Sequence, residues 1–334
     1  MKRLLAVLFT TLVCTPVMAD EEVNIYSFRQ PFLIQPILDK FTAQTGIKTN
    51  VVFAKKGLIE RVKREGKHSR ADLVLTSNFS ALIQLEELEL TQSIKSDLVT
   101  DNIPAAFRDP QGDWVALTKR VRNVYSSKER LGELKGLTYE SLADPKYRGK
   151  ICTRSGKHPY NLGLVASMVA HHGEAYTKQW LLDVKANLAR KPQGNDRAQV
   201  KAVKEGLCDL ALGNSYYFGK MLTDEKQKAW AESVFINFPN QENRGSHLNV
   251  SGVVMTKYAK NSANALKLIE FMSADEAQSM YASVNMEYPV KPGVKLSPLV
   301  ESWGTFKEDA LALSEIAKYR PVALRLIDEV KFDL

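Results

Sequence analysis

The chain has 334 residues, a formal net charge of +8 at pH 7 and 25% charged residues. Its basic residues are scattered among acidic ones and form no stripe interleaved with aromatic side chains, which excludes a nucleic-acid-binding surface. A chain of this length is long for one hydrophobic core, so we expect two lobes.

The first 19 residues have the pattern of a secretory signal peptide. Lys2 and Arg3 precede the apolar run Leu4–Val13, and Val17-Met18-Ala19 forms a small-residue cleavage site. The apolar run is too short to span a bilayer, so we expect a soluble, secreted mature protein. Removal of the signal lowers the formal charge from +8 to +6. A lipoprotein cut before Cys14 is the alternative, which the bulky residue ahead of that cysteine disfavours.

Strand and helix patterns alternate over the next part of the chain. The predicted strands are residues 23–27, 48–54 and 71–76, and the predicted helices are residues 31–45 and 57–65. Leu33, Ile37 and Phe41 recur at four-residue steps, as on a helix face that packs on a sheet. This alternation predicts an α/β fold with a mostly parallel sheet.

Two later strands are predicted to cross between the lobes, at residues 114–126 and 249–257. We therefore predict an N-terminal lobe of residues 20–119 and 252–290, and a C-terminal lobe of residues 120–251 and 291–334. In open α/β sheets, ligands bind beyond the carboxyl ends of the strands, which here would face a cleft between the lobes. Residues 302–330 are predicted to be helical.

Two strand-to-helix turns present tyrosines. In Asn214-Ser215-Tyr216-Tyr217, an apolar strand ends just before the turn and Ser215 is a plausible N-cap, which places both phenols at a helix start. Tyr160 has a similar setting, after a strand-like segment at residues 149–155. Helix N-termini favour anions, phenolates included. Three phenols on two such turns predict a site for a hard, highly charged cation.

The mature chain keeps two cysteines, Cys152 and Cys208, each just ahead of one tyrosine turn. An even number of cysteines in an oxidising compartment predicts a disulfide. Two separate buried thiols are the alternative. A zinc site is not supported, because two thiols lack the four-ligand spacing of such sites.

Five segments of the mature chain carry a family resemblance: residues 23–32, Arg154-Ser155-Gly156 with Tyr160-Asn161, residues 187–194, the Asn214-Ser215-Tyr216-Tyr217 turn, and Glu287-Tyr288-Pro289-Val290. With these segments, the whole mature chain resembles the periplasmic ferric-iron-binding proteins of bacterial iron ABC importers, a transferrin-like branch of the two-lobed periplasmic binding proteins of type II. The resemblance implies a monomeric periplasmic protein that is not an enzyme. It would deliver Fe(III) to an inner-membrane iron ABC permease.

The resemblance also implies the ligands. Tyrosines at the positions of Tyr160, Tyr216 and Tyr217 bind Fe(III) in that family, and a synergistic carbonate or bicarbonate completes the shell. Fe(III) is a hard cation that prefers oxygen, and metal binding displaces the phenol proton. A guanidinium is the natural planar partner for the anion, and Arg120 is our first candidate, before Arg122 and Arg29. Arg120 could instead pair with a buried carboxylate as a hinge brace.

The chain departs from the family pattern in its first lobe. Many members have a histidine, and some a tyrosine, in the turn after the first strand, where this chain has Arg29-Gln30-Pro31. Some members have an acidic residue after the third strand, where this chain has the neutral Ser77-Asn78-Phe79-Ser80. We therefore expect no side-chain ligand from the first lobe, and iron binding while the cleft is open.

Two other classes of function remain as alternatives. One is a periplasmic binding protein for another ligand, such as an organic anion, a polyamine or another metal. The second is an enzyme on the same fold, although the chain has no Gly-x-Ser-x-Gly elbow, no His-Glu-x-x-His motif and no phosphate loop. His158 and the pair His171-His172 are expected to be neighbours of a site or surface groups rather than ligands.

Overall fold

The computed structural model describes residues 21–334, so the predicted signal peptide and Cys14 lie outside the described residues. The strands of this part are β1 Glu22–Ser27, β2 Lys48–Phe53, β3 Leu73–Thr76, β4 Thr91–Gln92, β5 Val115–Ser127, β6 Ile151–Cys152, β7 Leu210–Asn214, β8 Val234–Asn237, β9 Leu248–Thr256 and β10 Tyr288–Pro289.

The helices are α1 Pro31–Thr45, α2 Leu58–Glu65, α3 Phe79–Glu87, α4 Asp97–Asn102, α5 Pro159–Ala186, α6 Asp196–Lys204, α7 Tyr216–Leu222, α8 Lys228–Glu232, α9 Ser262–Ser273, α10 Asp275–Ser283, α11 Pro298–Glu301, α12 Leu313–Ala317 and α13 Arg320–Glu329. The predicted helix over residues 31–45 coincides with α1. Pro31 pre-sets the first turn of this helix, and Gly46 ends it with a φ of +75°.

The main path of the sheet has the order β2-β1-β3-β9-β5-β7-β6. Strands β1, β2 and β3 are parallel, as are β6 and β7. The two long strands β5 and β9 run antiparallel to their neighbours, so the sheet is mixed. The predicted α/β class with helices on the sheet faces is confirmed, and the crossover strands supply the antiparallel pairings.

Two large hydrophobic cores lie on either side of a crossing point in β5. The first core takes residues from 23–117 and 250–290 together with Leu313, and the second takes residues from 124–212 and 316–332. Leu117 belongs to the first core and Val124 to the second, so β5 passes from one to the other within seven residues. A small cluster at the crossing contains Val121, Leu248 and Tyr288. The tertiary structure is therefore two packed bodies joined by β5 and β9.

The prediction of helix over residues 302–330 is wrong for residues 302–312. Helices form only at α12 and α13, while Gly304 has a φ of +83° and Glu308 makes a β-bridge with Ser246. The Ser246 N–H donates to the Lys307 carbonyl at 2.8 Å, and the Asp309 N–H donates to the Ser246 carbonyl at 2.9 Å. These long-range bonds satisfy the backbone of the segment in an extended form.

Within residues 21–334, no helix combines the length and the apolar character needed to cross a bilayer.

Candidate functional site

The tyrosine pair lies where β7 ends and α7 begins. Tyr216 is buried, Tyr217 is partly exposed, and their ring centroids are 4.0 Å apart with an interplanar angle of 31°. The two residues are the first two of α7, so both side chains leave the same helix start. Their hydroxyl groups therefore lie side by side and can act on one ligand together.

Ser215 attaches this turn to the crossover strand. The Ser215 Oγ accepts a hydrogen bond from the Val121 N–H at 3.2 Å, and the Ser215 N–H donates to the Val121 carbonyl at 3.0 Å. Ser215 occupies the N-cap position of α7, but its side chain makes no capping bond. The predicted capping role is thus wrong, because the hydroxyl is already used by β5 at the point where the two cores meet.

Gly213 allows the turn to pack closely on the sheet. A Cβ atom at this position would lie 2.5 Å from Tyr125 Cε2. The Tyr125 hydroxyl in turn donates to the Asn214 carbonyl at 2.8 Å, which ties the end of β7 to β5. The buried Tyr125 is therefore a structural support of the tyrosine turn.

Tyr160 is the second residue of α5, next to the helix start. His158 occupies the N-cap position, and its Nδ1 accepts a hydrogen bond from the Tyr160 N–H at 3.3 Å. The two rings meet edge to face at a centroid distance of 4.6 Å, and the Arg154 guanidinium lies 5.4 Å from the Tyr160 ring centroid. His158 therefore orients Tyr160, which agrees with the expected role of a neighbour.

The charge of Tyr160 affects the pKa values of both Tyr216 and Tyr217. Burial raises the pKa of Tyr216 well above its usual value, and the charges of Tyr160 and Tyr217 raise it further. Burial also raises the pKa of Tyr217, with Tyr160 and Asp196 acting in the same direction. Such phenols stay protonated at neutral pH unless a cation replaces the proton.

The disulfide between Cys152 and Cys208 is present. Cys152 is the last residue of β6, and Cys208 lies two residues before β7, which pairs in parallel with β6. The bridge therefore fixes, at one place, the two strands that lead into the tyrosine turns.

Asp196 is a buried carboxylate behind the tyrosines. It accepts from Arg122 Nη1 at 2.6 Å, from Arg154 Nη1 at 3.1 Å and from the Asn214 N–H at 2.9 Å. Burial alone would raise the pKa of this carboxyl, but Arg122 and Arg154 lower it below the usual value. The Arg122 Nη2 also donates to Asn161 Oδ1 at 2.6 Å. Arg122, a minor candidate for the anion, is thus a fully buried brace of both tyrosine turns.

Sequence reasoning missed Asp196. Its local pattern, Asn195 as an N-cap whose side chain accepts from the Ala198 N–H, is that of an ordinary helix start. Its function in the site depends on Arg122, which is 74 positions away in the chain. No signal in the sequence distinguishes Asp196 from the other acidic residues at helix starts.

Arg120 lies beside the tyrosine pair, with its guanidinium carbon 5.7 Å from the Tyr216 ring centroid. Its Nη1 contacts Glu287 Oε1 at 3.1 Å and the Ser251 hydroxyl, and its Nη2 donates to the Ser77 carbonyl at 2.7 Å. Arg29 Nη2 contacts the other oxygen of Glu287 at 2.8 Å. Arg120 is therefore at the site and also makes the buried carboxylate pair that its alternative role requires.

Glu287 is shared by two buried guanidinium groups. Burial alone would raise the pKa of its carboxyl, but Arg29 and Arg120 lower it overall. One carboxylate between two cations leaves a formal charge of +1 next to Tyr216. Nε of Arg29 and Nε of Arg120 have no hydrogen-bond partner within the described residues. The crossing point of the two cores thus holds an excess of positive charge.

A cavity of about 410 Å³ opens beside Tyr160. From the first core it is lined by the turns that the sequence singled out, including Ser77, Asn78 and Ser80, and from the second core by His158, Pro159 and Tyr160. Its remaining lining residues are Phe28, Lys55, Lys56, Gly57, Ile59, Glu60, Ala81, Gln84 and Arg320. The cavity is therefore a cleft between the two cores, with one tyrosine on its wall.

The paired histidines contact carboxylates away from the tyrosines. His171 Nε2 is 2.8 Å from Asp309 Oδ1, and His172 Nε2 is 2.8 Å from Glu140 Oε1. Arg244 bridges both carboxylates, at 2.9 and 3.0 Å. These contacts give both histidines a structural role in the second core.

Comparisons with known proteins agree with this architecture. The family model of the bacterial extracellular solute-binding proteins matches residues 69–307. The chain belongs to this family. Iron uptake protein A1 of Synechocystis sp. is 43% identical over 313 residues, which cover 93% of this chain and 87% of that protein.

Two further relatives are described as ferric-binding proteins. The major ferric iron-binding protein of Neisseria meningitidis is 29% identical, over 84% of this chain and 83% of that protein. The crystal structure of apo ferric ion-binding protein A from Pasteurella haemolytica superposes with a TM-score of 0.91 at 54% identity, and covers 95% of this chain and 99% of that chain. The resemblance drawn from the sequence is thereby confirmed, and so is the periplasmic-binding-protein fold.

Proposed function

We propose that this solute-binding protein is a periplasmic Fe(III)-binding protein that delivers ferric iron to an inner-membrane ABC importer. The proposal is supported by the adjacent rings of Tyr216 and Tyr217 and by the effect of the Tyr160 charge on the pKa values of both. The names of the relatives, an iron uptake protein and ferric ion-binding proteins, support it. The role is binding and delivery, without a catalytic step.

The three tyrosines are the proposed metal ligands. Burial and mutual repulsion raise the pKa values of Tyr216 and Tyr217, so an isolated phenolate is unfavourable there. A trivalent cation reverses this balance, because its charge compensates three phenolates at once. Asp196, Ser215 and the Cys152–Cys208 bridge hold the turns in place, so little reorganisation is needed when iron binds.

Carbonate or bicarbonate is the proposed synergistic anion, with Arg120 as its partner. The Nε of Arg120 has no partner in the described part of the chain, and the Arg29–Glu287–Arg120 group carries a formal charge of +1. Three phenolates and an anion exceed the +3 charge of iron, and this positive charge offsets the excess. The residues present therefore fit an anion on the Arg120 side of Tyr216.

Lobe closure is the proposed signal to the permease. The proposed lobes are residues 20–119 with 252–290, and residues 120–251 with 291–334, and the proposed hinge strands are β5 and β9. Bending at the hinge would close the cleft and present a new surface, as in other hinged binding proteins. Since the turns around Arg29 and Ser77 provide neither histidine, tyrosine nor acid, iron would bind first in the open cleft through the second lobe alone.

A visible absorption titration tests the proposal. Ferric citrate, added with and without bicarbonate, should produce a broad phenolate-to-iron band that saturates at about one iron per chain and shifts with bicarbonate. Tyr160→Phe, Tyr216→Phe and Tyr217→Phe should each weaken iron binding by about 100-fold or more, because loss of a neighbour of a ligand already costs 10–100-fold. Tyr258→Phe, at an exposed site, is the matched control. No band at any iron level would contradict tyrosinate ligation.

A further inference from the structure

The cleft contains a set of positive charges that the tyrosine site does not use. Lys55 and Lys56 lie in the loop between β2 and α2, and Arg320 is the first residue of α13. All three line the 410 Å³ cavity that borders Tyr160. Within residues 21–334, none of the three side chains makes an ion pair or a side-chain hydrogen bond. These three residues are called the cleft cations below.

Arg320 is the unusual member of the set. It is partly buried, and its Nε is fully enclosed without a hydrogen-bond partner among the described residues. Burial lowers the pKa of this guanidinium, and the charge of Glu87 opposes that effect only in part. An arginine keeps its charge in a protein, so an uncompensated guanidinium in such a place costs free energy until an anion arrives.

The cleft cations face each other from opposite lobes. The lysine loop leads into α2, whose Leu58 and Ile59 pack in the first core, while α13 packs in the second core through Ala323 and Leu326. Like charges on facing walls repel each other when the cleft narrows. Glu60 is the carboxylate among the residues that line this cavity, so the wall keeps a formal excess of positive charge. An anion between the walls would remove this repulsion.

The size of the cavity decides between a small ion and a larger ligand. A volume of about 410 Å³ lies in the usual range for sites of small organic molecules, about 300–1,000 Å³. Tyr160 forms part of its wall, so a ligand in the cavity can contact iron held by the tyrosines. A carbonate beside Arg120 would leave most of this space and all three cleft cations without an anionic partner.

We infer that the protein takes up ferric iron as a polycarboxylate chelate, whose outer carboxylates bind Lys55 and Lys56 of one lobe and Arg320 of the other. The inference rests on the proposed function, and it assigns the first lobe a role in recognising the chelate rather than the metal. The carboxylates bridge the cleft cations, remove their repulsion and thereby couple chelate binding to lobe closure. Iron with bicarbonate alone occupies the tyrosines but leaves the cleft open.

Two iron sources separate this inference from the proposed function. Wild-type protein, Arg320→Gln and the double variant Lys55→Gln/Lys56→Gln are titrated with ferric citrate, and separately with freshly diluted ferric salt plus bicarbonate, using the phenolate band. Charge-assisted hydrogen bonds to carboxylates contribute about 1.5–3 kcal/mol, so each variant should bind ferric citrate about tenfold or more weakly. Its affinity for iron with bicarbonate should stay within about twofold of wild type.

The controls change the same charges elsewhere. Lys63→Gln/Lys67→Gln removes two exposed lysines of the first lobe, and Arg148→Gln removes an exposed arginine of the second lobe. Both control proteins should behave as wild type with either iron source. Small-angle X-ray scattering should show a smaller radius of gyration with ferric citrate for wild type and the controls, but not for the cleft-cation variants.

Three outcomes would overturn the inference. The first is an unchanged ferric citrate affinity in both cleft-cation variants. The second is an equal loss with both iron sources, which would make the cations general supports of the tyrosine site. The third is full compaction of wild-type protein with iron and bicarbonate alone. In each case a band with bicarbonate would leave the proposed function standing, whereas no band from either source would contradict the proposed function itself.

Discussion

Two buried carboxylates in this protein have the same chemistry and different positions. Asp196 and Glu287 each bind two guanidinium groups and are almost inaccessible to solvent. All partners of Asp196 come from elements of the second lobe, β5, β7 and the segment before α5. The partners of Glu287 are Arg29, in the turn after β1, and Arg120, in β5, and both arginines also contact Ser251 of β9. The first cluster fixes the tyrosine turns, and the second joins the turn after β1 to β5 and β9, the two strands that connect the cores.

This difference shows that the surroundings of a buried ion pair decide its role. Breaking either pair leaves two cations without their anion, which is strongly unfavourable. In the Asp196 cluster this change affects a static scaffold. In the Glu287 cluster it frees Arg120 next to Tyr216, where an incoming anion can replace the lost carboxylate. The comparison leads to four predictions, from the largest expected effect to the smallest.

Asp196→Asn should lower the free energy of unfolding by about 3–5 kcal/mol, because Arg122 and Arg154 lose their counter-charge in a buried site. Iron affinity should fall as well, since Asn214 and Asn161 then lose support on both tyrosine turns. Denaturant unfolding followed by circular dichroism measures the first effect. Glu205→Gln, just after the end of α6, is the exposed control. A loss below 1 kcal/mol would show that Asp196 is no scaffold.

Loss of the Cys152–Cys208 bridge should lower the free energy of unfolding by about 2–5 kcal/mol. The paired change Cys152→Ser/Cys208→Ser removes the covalent tie between β6 and the start of β7 and leaves the Asp196 contacts in place. Iron affinity should therefore change much less than in Asp196→Asn. Urea melts and phenolate-band titrations of the same samples make the comparison. A larger loss of iron affinity than in Asp196→Asn would reverse the assigned roles.

Glu287→Gln should increase the affinity for the synergistic anion by about tenfold, which corresponds to about 1.4 kcal/mol. Without the carboxylate, Arg120 has no anionic partner and binds bicarbonate more tightly. The bicarbonate concentration that gives a half-maximal shift of the phenolate band measures this effect. Asp196→Asn should show no such increase. An unchanged or higher half-saturating concentration in Glu287→Gln would mean that Arg120 does not hold the anion.

The smallest expected effect is the change of the free energy of unfolding at acidic pH. The pKa of each carboxyl lies below its usual value of 3.8 for Asp196 and 4.5 for Glu287, so their contribution to stability is full above those values. It is lost as the pH falls through the lower pKa of the folded protein. The stability difference between wild type and Asp196→Asn should therefore narrow below about pH 3.8. Thermal melts across the acid range test this, and a constant difference down to pH 2 would contradict it.

Much of the fold follows from local patterns. The period of Leu33, Ile37 and Phe41 together with Pro31 and Gly46 predicted α1 over its observed length. The long apolar strands at the crossing were also predicted, since runs of β-branched residues form buried strands in many contexts. The helical prediction for residues 302–312 failed because the backbone there bonds to Ser246, far along the chain. Local propensity contains no information about such a partner.

The residues of the candidate site also divide into those that the sequence predicted and those that only the structure revealed. Tyr160, Tyr216 and Tyr217 were identified because they share the setting of a strand-to-helix turn, and because the family resemblance pointed to them. Arg120 was found with two possible roles, and its contact with Glu287 emerged only in the structure. Asp196 and Arg320 were missed altogether. Both residues have ordinary local sequence patterns. Asp196 is distinguished by the two arginines that it binds, and Arg320 by an Nε without a hydrogen-bond partner among the described residues. Both properties depend on segments that are distant in the chain.

The sequence by itself determined the α/β class, the two tyrosine turns, the pairing of Cys152 with Cys208 and the lack of histidine and tyrosine in the turn after β1. These properties depend on periodicity, turn chemistry and residue type, which act over a few neighbouring positions. Only the tertiary structure decided which cations share a carboxylate and which face the cleft alone. That outcome depends on contacts such as Arg29 with Glu287, 258 positions apart, and electrostatic free energies depend on distance in space rather than along the chain.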